Sequence, residues 1–364
     1  MKQDDMIVIV GGGPAGLALA WHLKELGLPC RVLERGQTGE SWRLMPSDSR
    51  VLSPWWTNRL PGGSTVRHRA WRKISTAEYC RYLQRYTEEH NLPVESAVEI
   101  TGVSRDTDGN YRLQHSRGEL KTRLLVAATG QYQNPYWTPL PEGNDGSIRS
   151  VHAAQFNGAH SLPDLPVGSR ILVVGRRITA GQIMVELQGS GHQVSLSAGG
   201  PVRTRAAWRR HFLKESLYFL YEPLLVWLFP GRRAFEHPIM DGGPTRHLLD
   251  RGLITVLPAL RGVCNGEALF ADGQHVRFDA IVHATGYRPA LGWLASLLGK
   301  ETPALEEIEN FESRQFAGLF FLGLDNLHDF RSGFLRGIVA DARRLAKVLR
   351  RRAEATASLA DRNA

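Results

Sequence analysis

Cysteine is scarce: Cys30, Cys80 and Cys264 are the only three in 364 residues, and none forms a C-x-x-C. That spacing excludes a disulfide framework, a zinc finger and a redox-active thiol pair, and no metal site is expected. Long apolar runs are missing too. The nearest, 217–229, is interrupted by Glu222 and Pro223. A spanning helix is therefore excluded; a buried or surface-docked helix is expected, with monotopic membrane contact as the alternative. Only Met1 to Asp5 precede the first apolar strand, too little for a signal peptide, so the cytoplasm is the expected location. There is no acidic excess, since the formal net charge is +9. The basic runs at 67–69, 203–210 and 343–352 lie in unrelated segments, which argues against a nucleic-acid surface. Anionic dinucleotides are reason enough for part of that charge. Length suggests two domains, and 42% hydrophobic with 22% charged residues is ordinary for a globular chain.

What is present begins with Ile7-Val8-Ile9-Val10, an apolar strand running into Gly11-Gly12-Gly13-Pro14-Ala15-Gly16. This G-x-G-x-x-G joins a strand to a helix, the context that gives the pattern meaning. Gly11 permits a tight turn, Gly13 removes a side chain where a pyrophosphate approaches the backbone, and Gly16 lets helix and strand pack closely. Free N–H groups at the helix start face the phosphates. Glu34 ends the next strand, where a carboxylate meets ribose hydroxyls.

A second unit follows the same plan. The strand 170–174 leads to Gly175 and a helix, then to a strand at 193–197. Such a repeat suggests two dinucleotides handled by one chain. Gly175 supplies the turn and Ala180 the close packing, but Arg177 stands where the middle glycine belongs. Its guanidinium either swings out to clamp phosphate or closes the site by bulk. Ser197-Ala198 replaces the ribose-binding acid, and Arg203 and Arg205 are placed to meet a 2′-phosphate. Gly175, Arg177, Thr179, Ala180, Arg203 and Arg205 are the expected NADPH contacts. Two further apolar strands end in Ala-Thr-Gly, at 128–130 and 284–286. Apolar residues recur at helical spacing across 75–90, and Asp108-Gly109-Asn110 reads as a hairpin turn.

These residues together resemble the class B flavoprotein monooxygenases, the group of flavin-containing and Baeyer–Villiger monooxygenases. The likeness rests on Gly11–Gly16, Glu34-Arg35, Gly39-Glu40-Ser41-Trp42, the first Ala-Thr-Gly, the unit at Gly175, Ala284-Thr285-Gly286-Tyr287, and the stretches 318–324 and 332–335. The resemblance implies that Gly11, Gly13, Pro14, Ala15 and Gly16 hold the FAD pyrophosphate, with Glu34 on the ribose and Arg35 next to it. Ser41 and Trp42 would lead to the flavin and Val98 would lie beside adenine. Thr129 and Gly130 would line the same cofactor, Gly286 would serve as a hinge, and Phe334 and Leu335 would belong to the segment covering the ring. Trp56 and Asn58 fall where the family places residues over the reactive ring, although the family's asparagine aligns nearer Pro54; Trp55 and Trp56 read equally as hydrophobic packing. The signature F-x-G-x-x-x-H-x-x-x-[YF] survives only as His152 and Phe156, with Gly146 and Ile148 at its first two positions.

The expected fold is α/β with two Rossmann-like domains: an FAD-binding domain at 1–145 that resumes at 286–364, and an inserted NADPH-binding domain at 146–285. The activity implied is an FAD-dependent monooxygenation using NADPH and dioxygen. It would act through a flavin peroxide on a small hydrophobic molecule at nitrogen or sulfur, or on a ketone. The alternatives are a reductase or oxidase without oxygen insertion, or a non-enzymatic dinucleotide-binding protein. A homodimer is compatible with the sequence.

Overall fold

A computed structural model describes residues 6–45, 50–51, 53–64, 70–158, 161–162, 164–204, 212–229, 240 and 243–362, without the side chains of 212–217 and 356–362. The chain divides into two compact units: Met1–Gln133 with Glu222–Ala234 and Pro289–Ala364, and Asn134–Tyr221 with Phe235–Arg288. The junctions lie at 133/134 and 288/289 rather than 145/146 and 285/286, and the segment from Glu222 belongs to the first unit.

The first unit is built on a seven-stranded sheet. Strands Val94–Glu95, Cys30–Leu33, Ile7–Val10, Leu125–Ala127 and Leu319–Phe321 are parallel neighbours in that order. Glu312–Ser313 and Ile308–Glu309 close the edge antiparallel. Alternation along each strand splits the side chains between two cores. Ile7, Ile9, Val32, Val126 and Phe320 face the helices Pro14–Glu25, Thr76–Glu89 and Leu335–Arg362. Val8, Val10, Leu33, Leu125 and Phe321 face a three-stranded antiparallel sheet, Ile100–Arg105, Tyr111–His115 and Gly118–Thr122. The hairpin turn is where the sequence placed it, with Gly109 at φ +82°. The helix Thr76–Glu89 starts from a capping box in which Ser75 Oγ accepts the Glu78 N–H and Glu78 accepts the Ser75 N–H; such reciprocal pairing fixes the first turn.

The second unit repeats the plan. Thr255–Leu257, Gln193–Ser197, Arg170–Val174, Ala280–His283 and Arg149–His152 form one parallel sheet in that order. Ile171, Val173, Leu196 and Val282 pack on the helix Ile178–Gly189. Leu172, Val174 and Ile281 pack on the antiparallel strands Leu260–Cys264 and Glu267–Phe270. Buried on both faces, the two innermost strands are apolar over 171–174 and 280–282.

Candidate cofactor site

In the first unit, Ile7–Val10 has Cys30–Leu33 on one side and Leu125–Ala127 on the other. The chain fills the sheet first on one side of this strand and later on the other, and at such a switch point the crevice outside the carboxyl ends is where such sheets bind ligands. The glycine turn sits at that end. A Cβ on Gly11 would lie 2.4 Å from the Ala128 carbonyl oxygen, and one on Gly16 would lie 2.0 Å from the Gly11 carbonyl oxygen. Around Gly13 the opposite holds, with nothing within 4 Å of its Cβ position. Gly13 is also the N-cap of the helix Pro14–Glu25, and no side chain caps that terminus. Open space over uncapped N–H groups matches a pyrophosphate. The residues fit the group.

Neighbouring segments converge on the turn. Glu34 accepts the Gly12 N–H at 2.7 Å and the Gly36 N–H at 2.9 Å, so its carboxylate is already fixed beside the phosphate cradle. The Val98 N–H donates to the Glu34 carbonyl at 2.9 Å. Gly39 donates to the Gly12 carbonyl at 3.2 Å and thereby ties the short helix Glu40–Arg43 to the turn. Ser41 in that helix is half-buried, and Trp42 packs edge-on against Tyr79 with ring centres 4.6 Å apart. Thr129 donates to the Ala290 carbonyl at 2.7 Å, and Gly130 takes φ +67°. Arg35 is exposed and reaches Gln133 at 3.0 Å. Gly323, within the stretch 318–324, is the part of the return segment that meets the turn: its Cβ position is 3.4 Å from Ala15 Cβ. Phe334 is exposed beneath the Arg336 guanidinium, and Leu335 begins the C-terminal helix.

Asn58 does not present a free amide. It is fully buried; Oδ1 accepts from Ser53 at 2.7 Å, and Nδ2 donates to the carbonyls of Ser53 and Pro54 at 3.0 and 3.2 Å. Those bonds build the loop carrying Trp55 and Trp56, and they correct the expectation of a residue poised over a reactive ring. Trp56 packs on Trp71 with ring centres 5.8 Å apart, and its buried indole N–H has no partner among the described residues.

The second turn follows the first in its tight positions. Gly175 has φ +154°, and a Cβ there would lie 2.5 Å from the Ala284 carbonyl oxygen. Ala180 is fully buried. Arg177 takes the place Gly13 has in the first unit, as N-cap of Ile178–Gly189, and again no side chain caps the terminus. It is exposed, as is Thr179. The Arg177 side chain thus stands outside the close strand–helix contact. Arg203 is exposed and its carbonyl accepts the Met240 N–H at 2.8 Å; Arg205 lies outside the described residues. Gly286 takes φ +88° and accepts the Tyr136 N–H at 2.9 Å.

One feature of this unit was not legible beforehand. The register pairs His283 with His152 on adjacent strands, and both rings lie under Trp137, at 4.9 and 5.5 Å. His152 also meets the Tyr287 ring edge-on. The surviving histidine of the eroded signature therefore packs on the Ala-Thr-Gly-Tyr segment of its own unit. Burial first, and the neighbouring His152 second, push His283 down to about 4; burial also lowers His152. A base whose folded value lies below its ordinary 6.5 binds fewer protons folded than unfolded. The stability it contributes is complete above about pH 6.5 and is lost as pH falls toward 4, a change on the order of 3 kcal/mol. His283→Phe should flatten the dependence of the urea midpoint on pH between neutrality and about pH 4.5; an unchanged slope would contradict this.

Cys30 and Cys80 are buried, with the Cys30 thiol pushed up to about 12 by burial and that of Cys80 also raised. Among the described residues no helix is long and apolar enough to cross a membrane.

Two parallel sheets, each ending in a glycine turn and an uncapped helix, define the class: an oxidoreductase with two dinucleotide-binding domains. The chain belongs to the pyridine nucleotide-disulphide oxidoreductase family, whose model matches residues 8–212. It is similar to an uncharacterized CzcO-like oxidoreductase of Geobacillus kaustophilus, 24% identical over 92% of this chain and 95% of that protein. It is also similar to an indole-3-pyruvate monooxygenase of Arabidopsis thaliana, 28% identical over 93% and 89%. The fold matches that of a flavin-containing monooxygenase from Stenotrophomonas maltophilia, with TM-score 0.72 at 19% identity over 94% and 97%.

Proposed function

We propose that the first unit holds FAD, that the second takes NADPH, and that the enzyme oxygenates a small hydrophobic molecule, at nitrogen or sulfur before a ketone. The observation that carries the reading is the pair of uncapped helix starts, one open above Gly13 and one fronted by Arg177. FAD supplies the redox chemistry and the reaction with dioxygen, as cofactors of this kind do. The chain's own residues bind and orient. N–H groups at the start of Pro14–Glu25 receive the pyrophosphate, and Glu34, held by Gly12 and Gly36, receives the ribose hydroxyls. Ser41, Trp42, Thr129 and Gly130 shape the crevice beyond, where Trp42 excludes water. In the second unit Arg177 faces a phosphate as a clamp, Thr179 lies in the same first turn, and Arg203 with Arg205 answers a 2′-phosphate.

Two tests bear on this. Arg177→Gly should raise the KM for NADPH about tenfold, the loss of one charge-assisted phosphate contact, while the bound FAD spectrum stays the same; a lower KM would mean that Arg177 obstructs. Incubation with candidate amines, sulfides and ketones should give a product heavier by an oxygen atom in step with NADPH consumed. If every NADPH is recovered as hydrogen peroxide across that panel, the chain is a reductase or oxidase of the same architecture.

A further inference from the structure

The helix Phe212–Leu228 presents two different faces. Phe219, Glu222 and Val226 are buried, at the spacing of one helical side. Leu224, Trp227 and Leu228 follow the other side, and Phe229 lies just past the helix end; all four are exposed, Trp227 by 75%. Apolar residues exposed singly need no explanation, but a run containing a Trp and a Phe marks an interaction surface. Glu222 anchors the run, because its buried carboxylate accepts from Arg336 Nε at 2.9 Å. Arg336 in turn lines an open groove of about 920 Å³ along the helix Leu335–Arg362, together with Trp21, Arg343, Arg344 and Lys347. Arg344 is paired with Asp341. Arg343 and Lys347 are exposed and have no carboxylate partner among the described residues. The sequence adds cations on both flanks of the helix, Arg209 and Arg210 before it and Arg232 and Arg233 after it.

We propose that this face docks on an anionic phospholipid surface. Leu224, Trp227, Leu228 and Phe229 enter the interfacial layer, and Arg343 and Lys347 meet head-group phosphates. Charge complementarity selects this occupant. A Trp-bearing apolar helix face, joined through Glu222 and Arg336 to the helix that carries Arg343 and Lys347, has the composition of a helix lying in the plane of a membrane, and indole is favoured where one end of a side chain is apolar and the other wet. The proposal concerns a surface remote in its logic from the chemistry: it stands or falls independently of which atom is oxygenated.

The test is flotation of the full-length protein, reconstituted with FAD, with vesicles of phosphatidylcholine alone or with about 30% phosphatidylglycerol. Flotation is expected only with the anionic vesicles. The double substitution Trp227→Ser, Phe229→Ser should abolish it, and Arg343→Gln with Lys347→Gln should weaken it about 25-fold, about fivefold per cation. Added salt should weaken it as well. Circular dichroism of each variant separates lost binding from lost fold, and sedimentation gives the oligomeric state. The proposal is overturned if the protein floats with neither vesicle, if it floats equally with both, or if it is a dimer that Trp227→Ser dissociates.

Discussion

Gly13→Asp should give a folded, colourless protein. Nothing lies within 4 Å of the Cβ position at Gly13, whose φ of −86° suits any residue, so the substitution fits the apo fold without strain. As an N-cap, Asp is slightly better than Gly, and stability without cofactor should rise by a few tenths of a kcal/mol. The new carboxylate would, however, fill the space over the N–H groups and repel the pyrophosphate. FAD affinity should fall at least about 100-fold, or ~3 kcal/mol. Fluorescence titration with FAD and a denaturant midpoint, measured on the same sample, check both halves. Tight binding by the variant would place the pyrophosphate elsewhere.

Gly16→Val, three residues on, should do the reverse and damage the fold itself. Its Cβ would sit 2.0 Å from the Gly11 carbonyl oxygen and 3.3 Å from Ile9 Cγ2, so the helix would have to move away from the strand it packs on. Overpacking at a backbone contact of this kind costs ~3 kcal/mol or more. Urea denaturation of the apo protein should show a correspondingly lower midpoint, and reconstitution with excess FAD should recover little of it. A wild-type midpoint would mean that the close approach is not needed. Two glycines of one motif thus differ in kind: one is kept for the ligand, the other for the packing.

That distinction is legible in the sequence because glycine patterns record backbone approach, which is local. The hairpin turn at Gly109 was readable for the same reason. So were the central strands of both sheets, since burial on two faces leaves apolar runs such as 7–10 and 171–174. Properties that depend on distant partners were not. The pairing of His152 with His283 follows from sheet register across 131 residues of separation. Asn58 looked available because its partners, Ser53 and Pro54, accept and donate only once the loop has closed. The passage of the segment from Glu222 into the first unit rests on an ion pair with Arg336, 114 residues later. Sequence pattern reports what a segment wants to bury; it is silent on which distant segment supplies the partner.

The central claim is that the glycine turn at the end of Ile7–Val10 grips FAD and that the bound flavin accepts electrons from NADPH. Anaerobic titration of the reconstituted protein with NADPH, followed by visible absorption, tests it most directly. The account predicts a yellow protein whose flavin band bleaches as NADPH is added and returns on admission of air. A preparation that takes up no FAD, or a flavin band that NADPH leaves untouched, would contradict it.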